Sequence, residues 1–369
     1  MLTFGIVLTT LGSVLPSIIE RFGIDKAQAG ALFLLMTLGI LAGSLIFGPM
    51  VDRYGYKGIL LVAAILIFLG LEGIAFATSL QILLVAIVLI GFGGGMINGS
   101  TNSLVADISS EARGANLNLL GVFFGVGAVG VPFALATLSG QFSQASQTSF
   151  VGALVLIPIV AFVLTRFPAP KQSQGFPIAA AGGLVKDPLL LLMGMMLFLE
   201  SGLEITVGGW TSTFVHEVLA VTAGKALVVL SLYWLGMMLA RIALGTVLRD
   251  AAQFTVLYVC IGIALVGSAL LLTSNSIAAA ALGVFLLGVG FSAMFPTVLG
   301  FIGDRYAALS GTAFSLVISM ALIGGMLLPY VAGVLGGNLG MRRSFVLVPV
   351  ALVMLGLLLG VLSRKLHRA

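Results

Sequence analysis

Nearly every stretch of this chain longer than a loop is apolar for about twenty residues at a time, and that pattern decides its solvent. Twelve such runs stand at 1–22, 28–50, 58–78, 80–105, 116–139, 148–166, 188–213, 223–248, 253–273, 277–302, 310–335 and 343–363. Crossing the roughly 30 Å hydrocarbon core of a bilayer takes about 20 residues of helix, in which every backbone N–H and C=O finds its partner internally. Only 8% of the residues are charged, against about 25% in a domain that must wet its surface. Lipid is therefore the expected surround, and the expected fold is an all-α membrane protein with twelve transmembrane helices. The 49 glycines suit helices that approach closely through small residues.

The connections are short, with one exception. Arg166 to Asp187 holds Pro168, Pro170, Lys171, Gln172, Ser173, Gln174 and Pro177. It divides the chain into an N-terminal six-helix bundle (1–166), a cytoplasmic linker (167–187) and a C-terminal six-helix bundle (188–369). Lys and Arg orient the runs, because loops rich in them stay cytoplasmic. With both termini inside, the cytoplasmic ends hold Arg53, Lys57, Arg113, Arg166, Lys171, Lys186, Arg241, Arg249, Arg305, Arg364, Lys365 and Arg368. The outer ends hold only Arg21, Lys26, Lys225, Arg342 and Arg343. That excess favours cytoplasmic termini, with a bacterial inner membrane as the expected location. The net charge of +5 is scattered singly along loops and forms no patch for nucleic acid. Cys260, the one cysteine, lies inside an apolar run, so neither an intrachain disulfide nor a CxxC motif exists. The first run starts at Met1 with no basic leader and reads as a span that stays, without the short tail usual before it.

The two halves are related. A shift of 197 residues pairs Gly5 with Gly202, Gly12 with Gly209, Gly39 with Gly236, Gly48 with Gly245 and Gly70 with Gly267. It also pairs Gly91 with Gly288, Gly93 with Gly290, Gly114 with Gly311, Gly127 with Gly324 and Gly140 with Gly337. These ten pairs compare with about three expected from composition alone. Asp107/Asp304, Pro132/Pro329 and Glu20/Glu217 fall on the same shift. A parallel repeat of this kind implies two pseudo-symmetric bundles around an axis along the membrane normal, with a cavity between them.

Ionisable groups inside spans cost about 2.5–3.5 kcal/mol at the centre on insertion scales, so each is a functional candidate. Glu72, Glu200 and Glu204 qualify. Glu200 and Glu204 stand near the middle of the seventh run, one turn apart and on one face. Carboxylates at that spacing repel and lose solvation, so such a pair can take up a proton with substrate and release it on the other side. Both are proton-coupling candidates; hydrogen bonding to a neighbouring helix is the plainer role, favoured for Glu72. Asn98 and Asn102 share a face of the fourth run, offering uncharged donors and acceptors for sugar hydroxyls or for helix adhesion. Trp210, Tyr233 and Trp234 supply aromatic faces for a pyranose ring, with the interfacial aromatic belt as the alternative for the tryptophans. The substrate-binding candidates are thus Asn98, Asn102, Glu200, Glu204, Trp210, Tyr233 and Trp234. No basic residue stands mid-span, Arg241 lying towards the cytoplasmic end of its run, which speaks against an anionic substrate. Pro16, Pro132, Pro296 and Pro329 interrupt runs where bending is tolerated. No nucleophile–base pair, metal cluster or phosphate loop is present, and His216 and His367 fall at opposite faces. Neither catalytic residues nor a metal or cofactor is expected, and His216-Glu217 reads as a solvated pair.

Between the second and third runs stands Gly48-Pro49-Met50-Val51-Asp52-Arg53-Tyr54-Gly55-Tyr56-Lys57, a G-x-x-x-D-R-x-G-x-K pattern. Set between spans, it resembles the cytoplasmic signature loop of the major facilitator superfamily of secondary transporters. Further stretches resemble that superfamily's fucose/hexose:proton symporter-type branch. They are Arg113-Gly114-Ala115-Asn116-Leu117-Asn118 with Phe123-Phe124-Gly125, the G-x-E-x-x-x-G-x-W of Gly202 to Trp210, Trp234-Leu235-Gly236 with Arg241, and Gly288-Val289-Gly290 with Phe295-Pro296. The resemblance implies alternating access, with Asp52 latching a cytoplasmic gate against the start of the eleventh helix and Arg53 and Arg113 joining it. The sequence departs from the branch at Gly121, where a polar side chain is expected, at Glu200, where a tyrosine is expected, and in lacking an acid on the first run. A proton route would therefore use the seventh run. The expected function is transport of a small hydroxyl-rich solute, a monosaccharide, coupled to protons, by a monomer. A proton-driven exporter of lipophilic or cationic compounds is the alternative, the same acids then serving as counter-charges.

Overall fold

The computed structural model describes residues 1–109, 113–169, 184–248, 251–306 and 309–366, without the side chains of 113–118 and 310–311. Most of the linker, the basic residues Lys171, Arg249 and Arg368, His367 and the side chain of Arg113 lie outside the described residues. The helices are α1 (Leu2–Phe22), α2 (Lys26–Phe76), α3 (Leu80–Ile108), α4 (Arg113–Leu138), α5 (Gln144–Leu164), α6 (Pro188–Val218) and α7 (Ala223–Gly245). They continue as α8 (Gln253–Thr273), α9 (Ile277–Phe291), α10 (Met294–Arg305), α11 (Ser310–Leu339), α12 (Met341–Ser344) and α13 (Leu347–Leu366). Among the described residues there is no strand, and eleven helical stretches are long and apolar enough to cross a membrane, α9 with α10 and α12 with α13 each counting once.

At some helices a polar residue at the edge of the run caps the start, because the first amides of a helix have no acceptor within it. At α2 the Gln28 amide donates to Asp25 at 2.7 Å while the Asp25 amide donates to the Gln28 side chain at 3.0 Å, a reciprocal cap. Asp187 caps α6 through the Leu189 and Leu190 amides at 2.8 and 3.3 Å, with Pro188 in the first turn. Helix ends are closed by side chains as well. Arg21 donates to the carbonyls of Ile74, Ala75 and Ala77 at the end of α2, and Arg342 to those of Leu272 and Ser274 at the end of α8.

Two helices depart from one run per helix. The 51 residues of α2 would extend about 75 Å at 1.5 Å each, over twice the hydrocarbon thickness. Gly55 breaks it at φ 73° and ψ 168°, a conformation in which any side chain would be strained. Of the four prolines expected to interrupt runs, Pro16, Pro132 and Pro329 stay inside continuous helices. At Pro296 the run splits into α9 and α10 around Ser292 and Ala293. Proline has no N–H for the carbonyl four residues back, and that carbonyl belongs to Ser292.

The repeat seen in the sequence recurs as contacts. Gly91 on α3 abuts the Met36 carbonyl on α2, and Gly288 on α9 abuts the Tyr233 carbonyl on α7, both members moved by the same shift. Gly39 against Val88 matches Gly236 against Phe285, and Gly93 against Ala63 matches Gly290 against Cys260. Gly70 against Ala86 and Ile90 matches Gly267 against Gly283 and Leu287. A polar contact between helices repeats too. Ser44 Oγ donates to the Gly95 carbonyl at 3.5 Å, and its counterpart Arg241 Nε donates to the Ser292 carbonyl at 3.4 Å.

Helices α1–α5 meet the later ones closely at one end. There Lys26 Nζ lies 2.7 Å from Glu217 Oε2, Gly30 abuts Pro329 and Tyr330, and Ser212 donates to the Gly12 carbonyl. Glu217 therefore pairs across helices, while His216 Nδ1 lies 2.7 Å from the Val221 carbonyl.

At the start of α6, the Tyr306 hydroxyl donates to Asp187 at 2.7 Å. Burial acts to raise the Asp187 carboxyl, but the Tyr306 hydroxyl, the Leu189 and Leu190 amides and the Arg305 charge together hold it below its usual value. Burial and the bond to Asp187 push the Tyr306 phenol up to about 12. A lowered acid gives stability that is lost as pH falls through its folded pKa, and a raised phenol gives stability that is lost as pH rises through its own. Tyr306→Phe is accordingly expected to lower the melting temperature in detergent by a constant amount between about pH 5 and 9. The loss corresponds to about 1 kcal/mol or less for a largely solvated bond. A deficit undiminished well below the ordinary aspartate value of 3.8 would show that the ring, not the bond, is at work.

Candidate functional site

Glu200 and Glu204 lie at mid-length of α6. Glu200 is 1% exposed, and neither of its oxygens has a hydrogen-bond partner of good geometry among the described residues. Its ionisable neighbours are Glu204 and Arg241. Glu204 Oε2 stands 3.9 Å from Arg241 Nη2, and the Tyr233 hydroxyl donates to the Glu204 backbone carbonyl at 3.4 Å. A buried charge costs several kcal/mol unless it is paired, so the two carboxyls and the guanidinium form one coupled unit.

Aromatic rings wall this unit. The Arg241 guanidinium sits over Phe124 of α4 at 5.9 Å, Phe124 meets Trp234 edge-on at 6.0 Å, and Trp234 meets Tyr233 at 4.9 Å. Tyr233 and Trp234 are 0% and 3% exposed, and the Trp234 Nε1 has no partner among the described residues. Helices α4, α6, α7 and α9 thus converge on one point, which brings together Glu200, Glu204, Tyr233 and Trp234.

Arg241 corrects the expectation that no basic residue reaches mid-span. It stands about one turn from the end of α7, but Cα–Cβ bonds tilt towards a helix's N-terminus, so its long side chain runs back to the level of Glu204. The Ser292 carbonyl released by Pro296 receives its Nε. Phe124 stood in the Phe123-Phe124-Gly125 stretch without a role of its own, and Ser292 acquires one only through the proline four positions on.

The remaining candidates lie elsewhere. Trp210 is fully buried, donates from Nε1 to the Pro329 carbonyl at 3.0 Å and packs on Phe33 at 5.9 Å, joining α6 to α2 and α11. It presents no face to a ligand in this arrangement. Asn102 Nδ2 donates to Asn98 Oδ1 at 3.1 Å and to its carbonyl at 2.8 Å. This half-buried pair on α3 has no described contact with the α6–α7 cluster. Glu72 accepts from the Ser149 hydroxyl at 2.8 and 3.1 Å, joining α2 to α5. Asp52 and Arg53 are exposed beside Gly55, with Arg53 over the Tyr54 ring at 5.2 Å. Tyr56 donates to Asp107 and Lys57 to the Val163 carbonyl, each at 2.6 Å, anchoring that loop to α3 and α5. Among the described residues no group of three His, Cys, Asp or Glu could hold a metal ion.

Comparison with known proteins agrees with this architecture. A family model described as Major Facilitator Superfamily matches residues 1–321. The glucose/mannose transporter GlcP of Bacillus subtilis is 22% identical over 346 residues, 90% of this chain and 84% of that protein. The 4-hydroxybenzoate transporter PcaK of Pseudomonas putida is 32% identical over 158 residues, 42% of this chain and 34% of that protein. The crystal structure of the nucleoside transporter NupG matches with a TM-score of 0.80 at 14% identity, over 98% of this chain and 96% of that one. With the apolar helices, the signature loop at Asp52 and the family match in agreement, this multi-pass membrane protein belongs to the major facilitator superfamily, whose members are transporters and not enzymes.

Proposed function

We propose that this protein moves a small hydroxyl-rich solute, a monosaccharide in the first instance, by alternating access, with protons carried on Glu204 and Glu200. The observation that carries this reading is the buried carboxyl pair at mid-length of α6 with Arg241 and Tyr233 beside it. A proton or a substrate arriving there changes a charge balance worth several kcal/mol, enough to bias two arrangements of the same helices. The name of GlcP supports a sugar.

In this reading α2 crosses twice about Gly55, giving twelve crossings in two six-helix halves, 1–166 and 188–369, joined by the linker 167–187. The protein works as a monomer in a bacterial inner membrane, with both termini cytoplasmic and the Lys26–Glu217 end facing outwards. Tyr233, Trp234, Glu200 and Glu204 hold the solute from one half and Asn98 and Asn102 from the other. Trp210 joins them when α11 withdraws Pro329. Asp52, Arg53 and Arg113 form the cytoplasmic gate. The exporter reading is the weaker one, because Arg241 already stands where a cationic substrate would need Glu204.

The test is uptake of a radiolabelled monosaccharide panel into proteoliposomes, with and without an inward proton gradient. Saturable uptake driven uphill by the gradient is the expected result. Uptake indifferent to the gradient would make the protein a uniporter. No movement of any sugar or sugar acid by demonstrably folded protein would return the exporter reading to the front.

A further inference from the structure

We infer that Arg241 makes this a site for hydroxylated carboxylates, such as sugar acids and other hydroxy acids, each taken up with one proton and no net charge. The inference rests on the transport reading above and deepens it by naming the substrate class.

The guanidinium carries five N–H donors in a fixed fork suited to a carboxylate at about 2.7–2.9 Å. Here Nε has a long contact with the Ser292 carbonyl at 3.4 Å, and Nη2 stands 3.9 Å from Glu204, outside hydrogen-bond range. The side chain keeps 28% of its surface exposed. It is an arginine brought to the level of a mid-helix carboxyl with part of its surface uncovered.

Helix packing does not require it. The equivalent point of the first repeat makes the same contact with Ser44 on the Gly95 carbonyl, so a short neutral donor suffices to join the helices. The charge has been added in one half only, where it faces the carboxyl pair. Around it, the Phe124 ring supports the guanidinium, and the unpartnered Trp234 Nε1 offers a donor to a hydroxyl.

Charge balance then fixes what else must arrive. The described ionisable groups facing Glu204 are Glu200 on α6 and Arg241 and Tyr233 on α7. Helices α4 and α9 contribute Phe124 and Ser292, which do not titrate. A substrate carboxylate that engages Arg241 deprives Glu204 of its opposite charge, at a cost of several kcal/mol in this setting. A proton on Glu204 removes that cost. Anion and proton together leave the net charge of the site unchanged, whereas a proton with a neutral sugar adds one positive charge to it.

The experiment uses the full chain in proteoliposomes with matched pairs: gluconate and glucose, glycerate and glycerol, 4-hydroxybenzoate and 4-hydroxybenzyl alcohol. At least one acid is expected to accumulate about tenfold per unit of pH gradient, unaffected by a potassium diffusion potential set with valinomycin. Its neutral partner should compete at least tenfold less well. Arg241→Gln should bring that preference to within about twofold, with Arg241→Lys intermediate. Neutral compounds driven by the potential, or a preference unchanged in Arg241→Gln, would overturn the inference and leave the transport reading standing. Movement of neither class would overturn both. If Arg241→Gln does not fold, the charge carried per substrate in the wild type still decides.

Discussion

Glu204→Gln is expected to abolish gradient-driven accumulation, while Glu72→Gln leaves it near the wild-type level. One proton per substrate under a pH gradient of one unit supplies about 1.4 kcal/mol, enough for about a tenfold concentration. A glutamine at 204 cannot carry that proton, so the ratio of inside to outside substrate should fall to about one. The substitution is nearly isosteric and spares the backbone carbonyl that accepts from Tyr233, so the helix should remain in place. Glu72 differs because its carboxylate serves as an acceptor for Ser149, a task that an amide oxygen also performs. Accumulation ratios in proteoliposomes decide the matter. Equal, near-wild-type ratios in both variants would remove Glu204 from the coupling mechanism.

Gly288→Val should prevent recovery of folded protein. A Cβ at this position would collide with the Tyr233 carbonyl and crowd the Met237 amide on α7, and no rotamer change moves a backbone oxygen. Overpacking usually costs about 1–3 kcal/mol where side chains can yield; here α7 and α9 must part along their seam. The same displacement would carry Tyr233 away from Glu204. Gly91→Val makes the matching collision with Met36 in the first repeat and should fail in the same way. Gly262→Ala is the control, since a Cβ there meets nothing within 4 Å, and replacing a helical glycine can add about 1 kcal/mol. Size-exclusion profiles and melting curves in detergent measure all three. A monodisperse Gly288→Val protein melting within a few degrees of the wild type would contradict the close seam.

Much of this architecture is legible in the residues because lipid imposes simple demands. Run length gives most of the helices, and caps such as Asp25 and Asp187 stand where the runs begin. The glycine pairs could be read as a repeat because several of them mark helix crossings that leave no room for a side chain, as the Gly91–Met36 and Gly288–Tyr233 contacts show. Glu200 and Glu204 stood out because a carboxylate at mid-span needs a reason. What could not be read is which neighbour each polar group finds. Trp210 looked like part of a sugar platform, but its indole nitrogen is bonded to Pro329, more than a hundred positions away. Arg241 looked peripheral from its place in α7, because position along a helix does not report how far a long side chain runs back along it. Gly55 stood in the signature pattern, yet its left-handed backbone, which turns one long helix into two arms, is a fact of conformation alone.

The discontinuity between α9 and α10 has a mechanical meaning. The oxygen that Pro296 leaves free is held by Arg241, while the other end of α10 is tethered through Tyr306 to the first residue before α6. A tilt of this short segment would re-aim the oxygen and thereby draw the arginine towards Glu204 or away from it. Tension applied at the loop face and chemistry occurring at the membrane centre would then be felt by a single atom. The short helix would serve as a lever with its fulcrum at Ser292, translating a shift of helices into a choice of ionic partner.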